Sequence, residues 1–560
     1  MRSINPRAII WQVIVVLHRY LGVAVGLLMM MWFLSGIVMV YVDLPRVTEE
    51  DRARTLEPIG WQACCRFPQQ LAPDSAQLFA AQVENVIGVP VMRISPSGRP
   101  PFVLDLEGGA VVQIDAEAAQ AIALDAAPRI IGRPAMLTGM EQIESDQWTL
   151  GRLGRERPLF RFAFDDPERT NIYVAGSRAQ AVHWTTATQR FWSWLGPIPH
   201  MLYFAELRRN AVLWTEIVIW TSLLGTFLTV LGLYLGVSQF KARARFSPYR
   251  GWFYWHHIAG LIFGIATLGF VASGLISMNP WGFLEDERDG SELARLTGGP
   301  LKWGEVRASL GAVRARPEVA SGAVSLITAP FAGRLYWIAK RPDGTVTRLD
   351  SDGGIAPLSE AELVEAAKLI AGDTAIAEQA LIAKEDDYYF RHDGSFVLPV
   401  FRVVLRDDEN TRYYVDPRSG ALVARFDSTA RWYRWLFSGL HTIDFTTWLR
   451  AHPMRDIVLL TLLLGGLAVT ITGFYLAIRR IRNDVTPLFR FFVDWRRVAI
   501  KKADSVEACG LPPSHGICRD RRAHAGRRKR SRADSRSNAR SMACVHKRTH
   551  FPPLNIKSFF

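Results

Sequence analysis

Four histidines recur at matching positions in this chain of 560 residues, and their side chains could hold a metal. His18 and His256 each precede an apolar stretch with glycine at +4 and +8, serine at +17 and glycine at +18. His200 and His441 lie 241 residues apart, each in a Trp-Leu-x-x-x-x-His segment. Neutral imidazole is a common iron ligand, and two facing imidazoles can hold a b-type haem from both sides. The positions therefore predict two pairs of haem-iron ligands, His18 with His256 and His200 with His441.

Glycines near His18 and His256 could leave room for a flat macrocycle. A helix advances about 100° per residue, so positions +4 and +8 return close to the face of the histidine. This spacing predicts cofactor-binding positions at Gly22, Gly26, Gly260 and Gly264. Close packing of small residues between helices would explain the same glycines without a cofactor.

Other residues near the histidines allow more than one interpretation. Arg190 and Trp194 correspond to Arg431 and Trp435 at the same offset of 241, and they either contact the propionates and ring of an outer haem or serve the fold. His257 adjoins a predicted ligand, but its counterpart in the other copy is an arginine, so it ranks as a neighbour or substitute ligand. Metals other than haem iron stay open. The five cysteines show neither zinc-ligand spacing nor the C-x-x-C-H of covalent haem attachment.

Four apolar stretches are long enough to cross a bilayer, at 9–42, 212–237, 252–278 and 456–478. Basic residues precede the first stretch, fill the short connection between the second and third, and follow the fourth, which predicts that these ends are cytoplasmic. Both large loops then lie outside. His18 and His256, the inner pair, fall near the cytoplasmic surface, whereas His200 and His441, the outer pair, fall near the opposite one. Tryptophan and tyrosine around the outer pair could instead form an interfacial belt.

The similarity extends through most of the chain. Residues 158–174 match residues 399–415 without a gap, and the same offset aligns the second and fourth apolar stretches. This predicts a tandem repeat of about 240 residues whose copies pack about a pseudo-two-fold axis along the membrane normal. Each large loop has strand and amphipathic-helix patterns typical of an α+β domain.

The net charge of +14 is concentrated in the last part of the chain. Residues 501–560 hold 15 Lys/Arg and four Asp/Glu, so they account for +11 of it. This segment lacks periodic apolar positions, which favours a disordered, solvated tail over a nucleic-acid or lipid-binding element.

Three motifs together resemble the PepSY-associated transmembrane-helix family of bacterial inner-membrane proteins. They are the H-x-x-x-G-x-x-x-G helices ending in Ser-Gly, the W-L-x-x-x-x-H segments at Trp194 and Trp435, and the YYVDPRSGALV turn. The resemblance covers roughly residues 9–482. It implies PepSY-like periplasmic domains, links to iron uptake and, in some members, haem-dependent reduction of ferric siderophores.

The resulting fold prediction is a membrane α-helical protein with four transmembrane helices from a tandem repeat and two periplasmic α+β PepSY-like domains. The predicted segments are the N-terminus and first transmembrane helix (1–45), PepSY-like domain 1 (46–205), the second transmembrane helix (206–240), a cytoplasmic loop with the third transmembrane helix (241–279), PepSY-like domain 2 (280–450), the fourth transmembrane helix (451–482) and a basic cytoplasmic tail (483–560).

The predicted function is that of a di-haem b reductase of the bacterial inner membrane. Electrons from an unidentified cytoplasmic or membrane donor would pass through the inner and outer haems to a periplasmic ferric siderophore and release Fe(II). One alternative is a haem oxidoreductase that uses a quinone or a periplasmic redox partner. Another is a membrane-anchored PepSY binding or regulatory module without redox chemistry, in which the histidines are merely interfacial. No dinucleotide-binding glycine motif follows a strand, so the donor is another molecule.

Overall fold

The structure is a computed structural model that describes residues 6–62, 64–68, 71–151, 153–242, 246–284, 290–390 and 396–507. Most of the predicted tail, from residue 508 onward, lies outside these ranges. The chain divides into two units. One runs from Leu17 to Ala477 and contains all four predicted histidine ligands, while the described parts of the other, 6–16 and 478–507, are helical.

The helices fall into long apolar ones and short ones attached to the sheets. In chain order they are α1 (Pro6–Met39), α2 (Glu49–Thr55), α3 (Ala116–Ile131), α4 (Ala187–Leu195), α5 (Pro197–His200), α6 (Ala205–Arg208), α7 (Ala211–Ser238), α8 (Trp252–Ile276), α9 (Ser291–Thr297), α10 (Trp303–Arg314), α11 (Glu360–Ala371), α12 (Ser428–Tyr433), α13 (Leu440–Thr442), α14 (Thr447–Arg450) and α15 (Met454–Glu507). A π-helical turn, Arg434–Gly439, joins α12 to α13.

Four of these helices contain stretches long and apolar enough to cross a membrane, at Arg7–Met39, Ala211–Ser238, Trp252–Ile276 and Met454–Asp484 among the described residues. By length and composition, the prediction of four transmembrane helices is therefore confirmed. The four helices indicate a multi-pass membrane protein. The helix α15 continues to Glu507, so the predicted tail boundary at residue 483 falls inside a helix.

Small residues allow the apolar helices to approach closely. Gly264 of α8 lies against Leu233 of α7, where a Cβ atom on the glycine would be 2.6 Å from the leucine side chain. Phe33 of α1 packs with Phe270 of α8 and with Leu459 of α15 in one buried cluster. In a bilayer the hydrophobic effect does not drive helices together, so van der Waals packing of this kind holds them in contact.

The strands are β1 (Gln77–Val86), β2 (Val89–Pro96), β3 (Phe102–Asp105), β4 (Ala110–Val112), β5 (Leu137–Ile143), β6 (Leu159–Phe164), β7 (Asn171–Ala175), β8 (Gln180–Thr185), β9 (Leu301–Lys302), β10 (Ser325–Thr328), β11 (Trp337–Lys340), β12 (Val346–Leu349), β13 (Ile376–Ile382), β14 (Val400–Leu405), β15 (Arg412–Val415) and β16 (Leu422–Phe426). They form two four-stranded antiparallel sheets, β5-β6-β7-β8 and β13-β14-β15-β16, and one eight-stranded sheet.

The eight-stranded sheet joins the two large loops. Its order is β12-β11-β10-β1-β2-β3-β4, with β9 paired to β1, so half of its strands come from each loop. The central strands β1 and β10 are antiparallel, with Gln82 opposite Ile327 and Glu84 opposite Ser325. The predicted domains 46–205 and 280–450 are thus connected by backbone hydrogen bonds as well as by the chain.

The sheets are covered by amphipathic helices, as the sequence patterns predict. Met92 and Leu104 on one face of the large sheet pack with Val306 and Leu310 of α10. Side chains alternate between the two faces of a strand, and the neighbouring residue Val91 points to the other face, where it joins the core beneath α3. The remaining sheet, β13 to β16, packs on α11.

The last strand of each four-stranded sheet leads directly to an outer histidine. The strand β8 is followed by α4 and α5, and His200 is the last residue of α5. The strand β16 is followed by α12, the π-helical turn and α13, which contains His441. The sheets therefore determine where the outer histidines enter the helix bundle.

Candidate functional site

The inner pair is formed by side chains of two apolar helices. His18 of α1 and His256 of α8 have ring centres 6.3 Å apart and ring planes inclined by 35°. Both side chains are partly buried. The structure thus brings together the two histidines that the sequence pairs, although they lie 238 positions apart in the chain.

Each inner imidazole is oriented by a backbone carbonyl of a neighbouring helix. Nδ1 of His18 lies 3.2 Å from the carbonyl oxygen of Leu228, and Nδ1 of His256 lies 3.2 Å from that of Val469 and 3.1 Å from the Thr472 hydroxyl. A carbonyl oxygen can only accept, so Nδ1 carries the proton in both rings. Nε2 then has a free lone pair, as in histidines that bind a metal through Nε2 while Nδ1 donates to a second-shell oxygen.

Glycines give the inner rings access to these carbonyls. Gly232 and Gly473 follow the two carbonyl residues by four positions, one helical turn further on. A Cβ atom on Gly232 would lie 2.7 Å from Cε1 of His18, and one on Gly473 would lie 2.9 Å from Cε1 of His256. Any larger residue would push the imidazole away from its hydrogen-bond acceptor.

The four glycines predicted as cofactor-binding positions divide into two classes. A Cβ atom added at Gly22 or Gly260 meets nothing within 4 Å, so space is open at +4 on both helices. At +8 the space is filled. A Cβ atom added at Gly26 would lie 3.6 Å from the Phe474 side chain, and Gly264 contacts a leucine of α7. Helix packing therefore explains the +8 glycines, and only the +4 glycines border free space.

The outer pair lies where α5 and α13 meet the ends of α1 and α8. The ring centres of His200 and His441 are 5.8 Å apart, and their planes are inclined by 68°. Nδ1 of His200 lies 3.1 Å from the carbonyl oxygen of Trp32 and 3.3 Å from the Ser35 hydroxyl. Nδ1 of His441 lies 2.9 Å from the Ser273 hydroxyl. As in the inner pair, Nε2 of each ring makes no hydrogen bond with the described residues.

Burial favours the neutral form of both outer imidazoles. Burial lowers the pKa of His200 below its ordinary value. Burial, together with the neighbouring His200, lowers the pKa of His441 to about 4. The neutral form is the one that can donate a lone pair to a metal, so burial reduces the competition between protonation and ligation.

Both separations suit two ligands on opposite sides of one metal ion. Bonds from metals to imidazole nitrogen are about 2 Å long and the ring centre lies about 1 Å behind the nitrogen, so ring centres would be about 6 Å apart. The observed values are 6.3 Å and 5.8 Å. Within the described part of the chain, no group of three or more His, Cys, Asp or Glu residues could hold a metal. A haem supplies its own equatorial nitrogens and needs only axial ligands.

His257, the predicted substitute ligand, is occupied otherwise. Its Nδ1 lies 2.9 Å from the Ser247 hydroxyl, and its Nε2 lies 2.9 Å from the carbonyl oxygen of Gly236. With both ring nitrogens hydrogen-bonded and the side chain buried, His257 connects α8 to α7 and to the loop before α8. In this arrangement His256 faces His18, and His257 does not.

The two recurring arginines bind backbone carbonyls. Arg190 donates from Nη2 to the carbonyl oxygen of Arg169 at 2.6 Å and from Nη1 to that of Thr185 at 2.9 Å. Arg431 donates from Nη2 to the carbonyl oxygen of Glu409 at 2.6 Å. These bonds tie the start of α4 and of α12 to the hairpin loop of the preceding sheet. Of the two roles that the sequence left open, the observed contacts favour the structural one.

The two recurring tryptophans differ in environment. Trp194 is 49% exposed and lies 6.3 Å from Phe204, measured between ring centres. Trp435 is partly buried and lies 6.2 Å from Tyr388. The exposure of Trp194 fits an interfacial aromatic residue.

Several residues of the site were not predicted as such. Gly232 and Gly473 were visible as recurring glycines, but their contact with a histidine of another helix depends on tertiary packing. Ser35 and Ser273 were visible at +17, yet their partners are histidines more than 160 residues away. Recurrence at the repeat spacing was the signal that could have identified all four.

No protein-family model matches the chain, and no curated protein matches it significantly.

Proposed function

We propose that this chain is a four-span di-haem b reductase of the bacterial inner membrane that delivers electrons to a periplasmic ferric siderophore and releases Fe(II) for uptake. The observation that supports it best is the presence of two histidine pairs, each with Nδ1 hydrogen-bonded, Nε2 free and ring centres about as far apart as two axial ligands require. The acceptor and the iron-uptake role rest on the resemblance to the PepSY-associated family.

The tandem repeat and pseudo-two-fold packing belong to the same proposal. In its favour, β6 and β14 begin 241 residues apart, as do the Leu228 and Val469 carbonyls that accept from the inner histidines. The antiparallel pairing of β1 with β10 is the contact that a two-fold axis would produce between equivalent strands. The basic connections favour a periplasmic location for the sheets and a position near the cytoplasm for the inner pair.

Bound haems would supply reversible one-electron chemistry, and the protein would set where and at what potential it occurs. His18 with His256 and His200 with His441 would hold the two irons. Carbonyls and hydroxyls at Nδ1 keep Nε2 unprotonated, and the apolar helices exclude water. One electron converts Fe(III) to Fe(II), which the hard oxygen ligands of a siderophore bind more weakly.

The decisive experiment is an absorption spectrum of the purified protein, oxidised and dithionite-reduced, with haem quantified per chain. We expect two low-spin b-type haems. His18→Ala and His256→Ala should each remove the same haem, and His200→Ala and His441→Ala the other. Absence of haem in protein produced with ample haem supply would overturn the proposal in favour of a PepSY binding module. Depletion of one common haem by His18→Ala and His441→Ala would overturn the pairing.

The acceptor is tested separately. After stoichiometric reduction of the haems, addition of a ferric siderophore should reoxidise them and yield Fe(II) that a ferrous chelator traps. Reoxidation by a quinone or a periplasmic redox protein but by no ferric siderophore would identify the alternative oxidoreductase.

A further inference from the structure

Two buried serines link the ends of α1 and α8 to the outer histidines. Ser35 is 2% exposed and Ser273 is fully buried. The Ser35 hydroxyl donates to the carbonyl oxygen of Met31 at 2.6 Å, and the Ser273 hydroxyl donates to that of Phe270 at 3.0 Å. Both serines thus use their proton within their own helix, a common arrangement for serine inside a helix.

This use of the proton fixes the direction of the bond to the imidazole. A hydroxyl has one proton and two lone pairs, so a serine that donates to a carbonyl can only accept from a second partner. Nδ1 of His200, 3.3 Å from Ser35, and Nδ1 of His441, 2.9 Å from Ser273, must therefore be the donors. The proton lies on Nδ1, and Nε2 keeps its lone pair.

The glycine that follows each serine makes this contact possible. A Cβ atom on Gly36 would lie 3.4 Å from Cε1 of His200, and one on Gly274 would lie 3.9 Å from Cε1 of His441. The imidazoles thus pass beside a helix surface without side-chain bulk and reach the serine one position earlier. The Ser-Gly pair at +17 and +18 acts as one unit, in which glycine provides space and serine provides the acceptor.

The two serines do not carry equal weight. Nδ1 of His200 has a second acceptor, the carbonyl oxygen of Trp32 at 3.1 Å, which alone would keep the same tautomer. His441 likewise has a backbone acceptor, at Phe270. However, its Nδ1 lies 2.9 Å from the Ser273 hydroxyl, whereas Nδ1 of His200 lies 3.3 Å from that of Ser35. Loss of the hydroxyl should therefore affect the histidine on the α8 side more.

We propose that Ser35 and Ser273 are positioning residues that hold the outer imidazoles with Nε2 directed to the haem iron, and that Ser273 contributes more than Ser35. The inference rests on the proposed function. Second-shell partners of this kind alter metal affinity about 10- to 100-fold when removed, because they orient the ring and raise its basicity.

The test compares Ser273→Ala, Ser35→Ala and Ser277→Ala in full-length protein. Ser277 directly follows the last residue of α8 and donates to the carbonyl oxygen of Gly274 at 2.7 Å, so its variant loses a similar bond to the helix backbone without touching a histidine. Haem content after dilution and the midpoint potentials of both haems are measured. The inner haem in the same sample reports whether the bundle has folded.

We expect Ser273→Ala to weaken retention of the outer haem about 10- to 100-fold and to raise its midpoint potential, because a less basic ligand stabilises Fe(III) less. Ser35→Ala should change haem retention and midpoint potential less, and Ser277→Ala should change neither. Ser273→Thr keeps the hydroxyl and should therefore keep the wild-type potential. Two haems in the wild type with equal behaviour of Ser273→Ala and Ser277→Ala would overturn this inference and leave the proposed function intact. A wild type without haem would overturn both.

Discussion

The inner and outer histidine pairs have similar distances between their rings, but different parts of the chain hold them in place. The inner pair, His18 and His256, projects from two long apolar helices and is held by backbone carbonyls of the helices α7 and α15. The outer pair, His200 and His441, is carried by short helices that follow a β-sheet and is held partly by serine side chains. The inner pair therefore depends on the bundle alone, whereas the outer pair also depends on the sheets.

This difference determines how each pair can be damaged. A backbone carbonyl cannot be removed by mutation, but access to it can be blocked by filling the glycine beside it. A serine hydroxyl can be deleted without changing the packing. In addition, any loss of order where the sheets join the bundle should reach the outer pair first.

Blocking the inner carbonyls should have the largest effect. In Gly232→Ala and Gly473→Ala, the new Cβ atom would lie 2.7 Å and 2.9 Å from a histidine Cε1 atom, so the ring must move away from its acceptor. We expect most of the inner haem to be lost and the outer haem to remain, as measured by haem content and reduced spectra. Gly269→Ala is the matched control, because a Cβ atom there meets nothing within 4 Å. Retention of both haems in the two variants would show that the ring tolerates the displacement.

The open space at the +4 glycines gives a second test of the inner site. Alanine at Gly22 or Gly260 meets no protein atom within 4 Å and should by itself stabilise the helix by about 1 kcal/mol. If a macrocycle occupies that space, the same variants should lose inner haem while haem-depleted protein becomes more thermostable. Haem content and melting temperature are measured on the same preparations. Full haem retention would show that the cofactor lies elsewhere.

The arginines that anchor α4 and α12 should affect only the outer pair. Arg190→Gln and Arg431→Gln remove bonds to the carbonyl oxygens of Arg169 and Glu409, at a cost of about 1–3 kcal/mol each. We expect a lower melting temperature and partial loss of the outer haem with the inner haem unchanged. The exposed Arg99, changed to Gln, serves as the control. A changed outer-haem potential at full occupancy and unchanged melting temperature would instead indicate contact with propionates.

The four membrane-spanning helices could be predicted because a bilayer requires a certain length and an apolar composition, and both are visible in a continuous stretch of sequence. The pairing of histidines could be predicted because recurrence singles out four of the twelve in the chain. The shared eight-stranded sheet could not be predicted. The strands β1 and β10 lie more than 200 residues apart in the chain, and neither strand's sequence specifies which strand it pairs with. A strand pattern specifies a face and a period, but not the neighbouring strand.

The same limit applies within the site. A recurring arginine beside a haem ligand could bind a propionate or a backbone carbonyl, because both are oxygen acceptors of a guanidinium. Only the position of the hairpin loops shows that Arg190 and Arg431 reach carbonyls. Likewise, helical spacing placed +4 and +8 glycines on one face, but the packing of Leu233 against Gly264 decides which of them borders free space.

The smallest effect on the haems is expected at His257, which tests the choice between two adjacent histidines. His257→Ala removes hydrogen bonds to Ser247 and to the carbonyl oxygen of Gly236, so the variant should lose about 1–3 kcal/mol of stability. Both haems should remain at wild-type potentials, because neither ring nitrogen of His257 is free to bind iron. His256→Ala is the comparison and should lose the inner haem. If His257→Ala loses that haem and His256→Ala keeps it, the helix is rotated in the haem-bound protein and the two residues exchange roles.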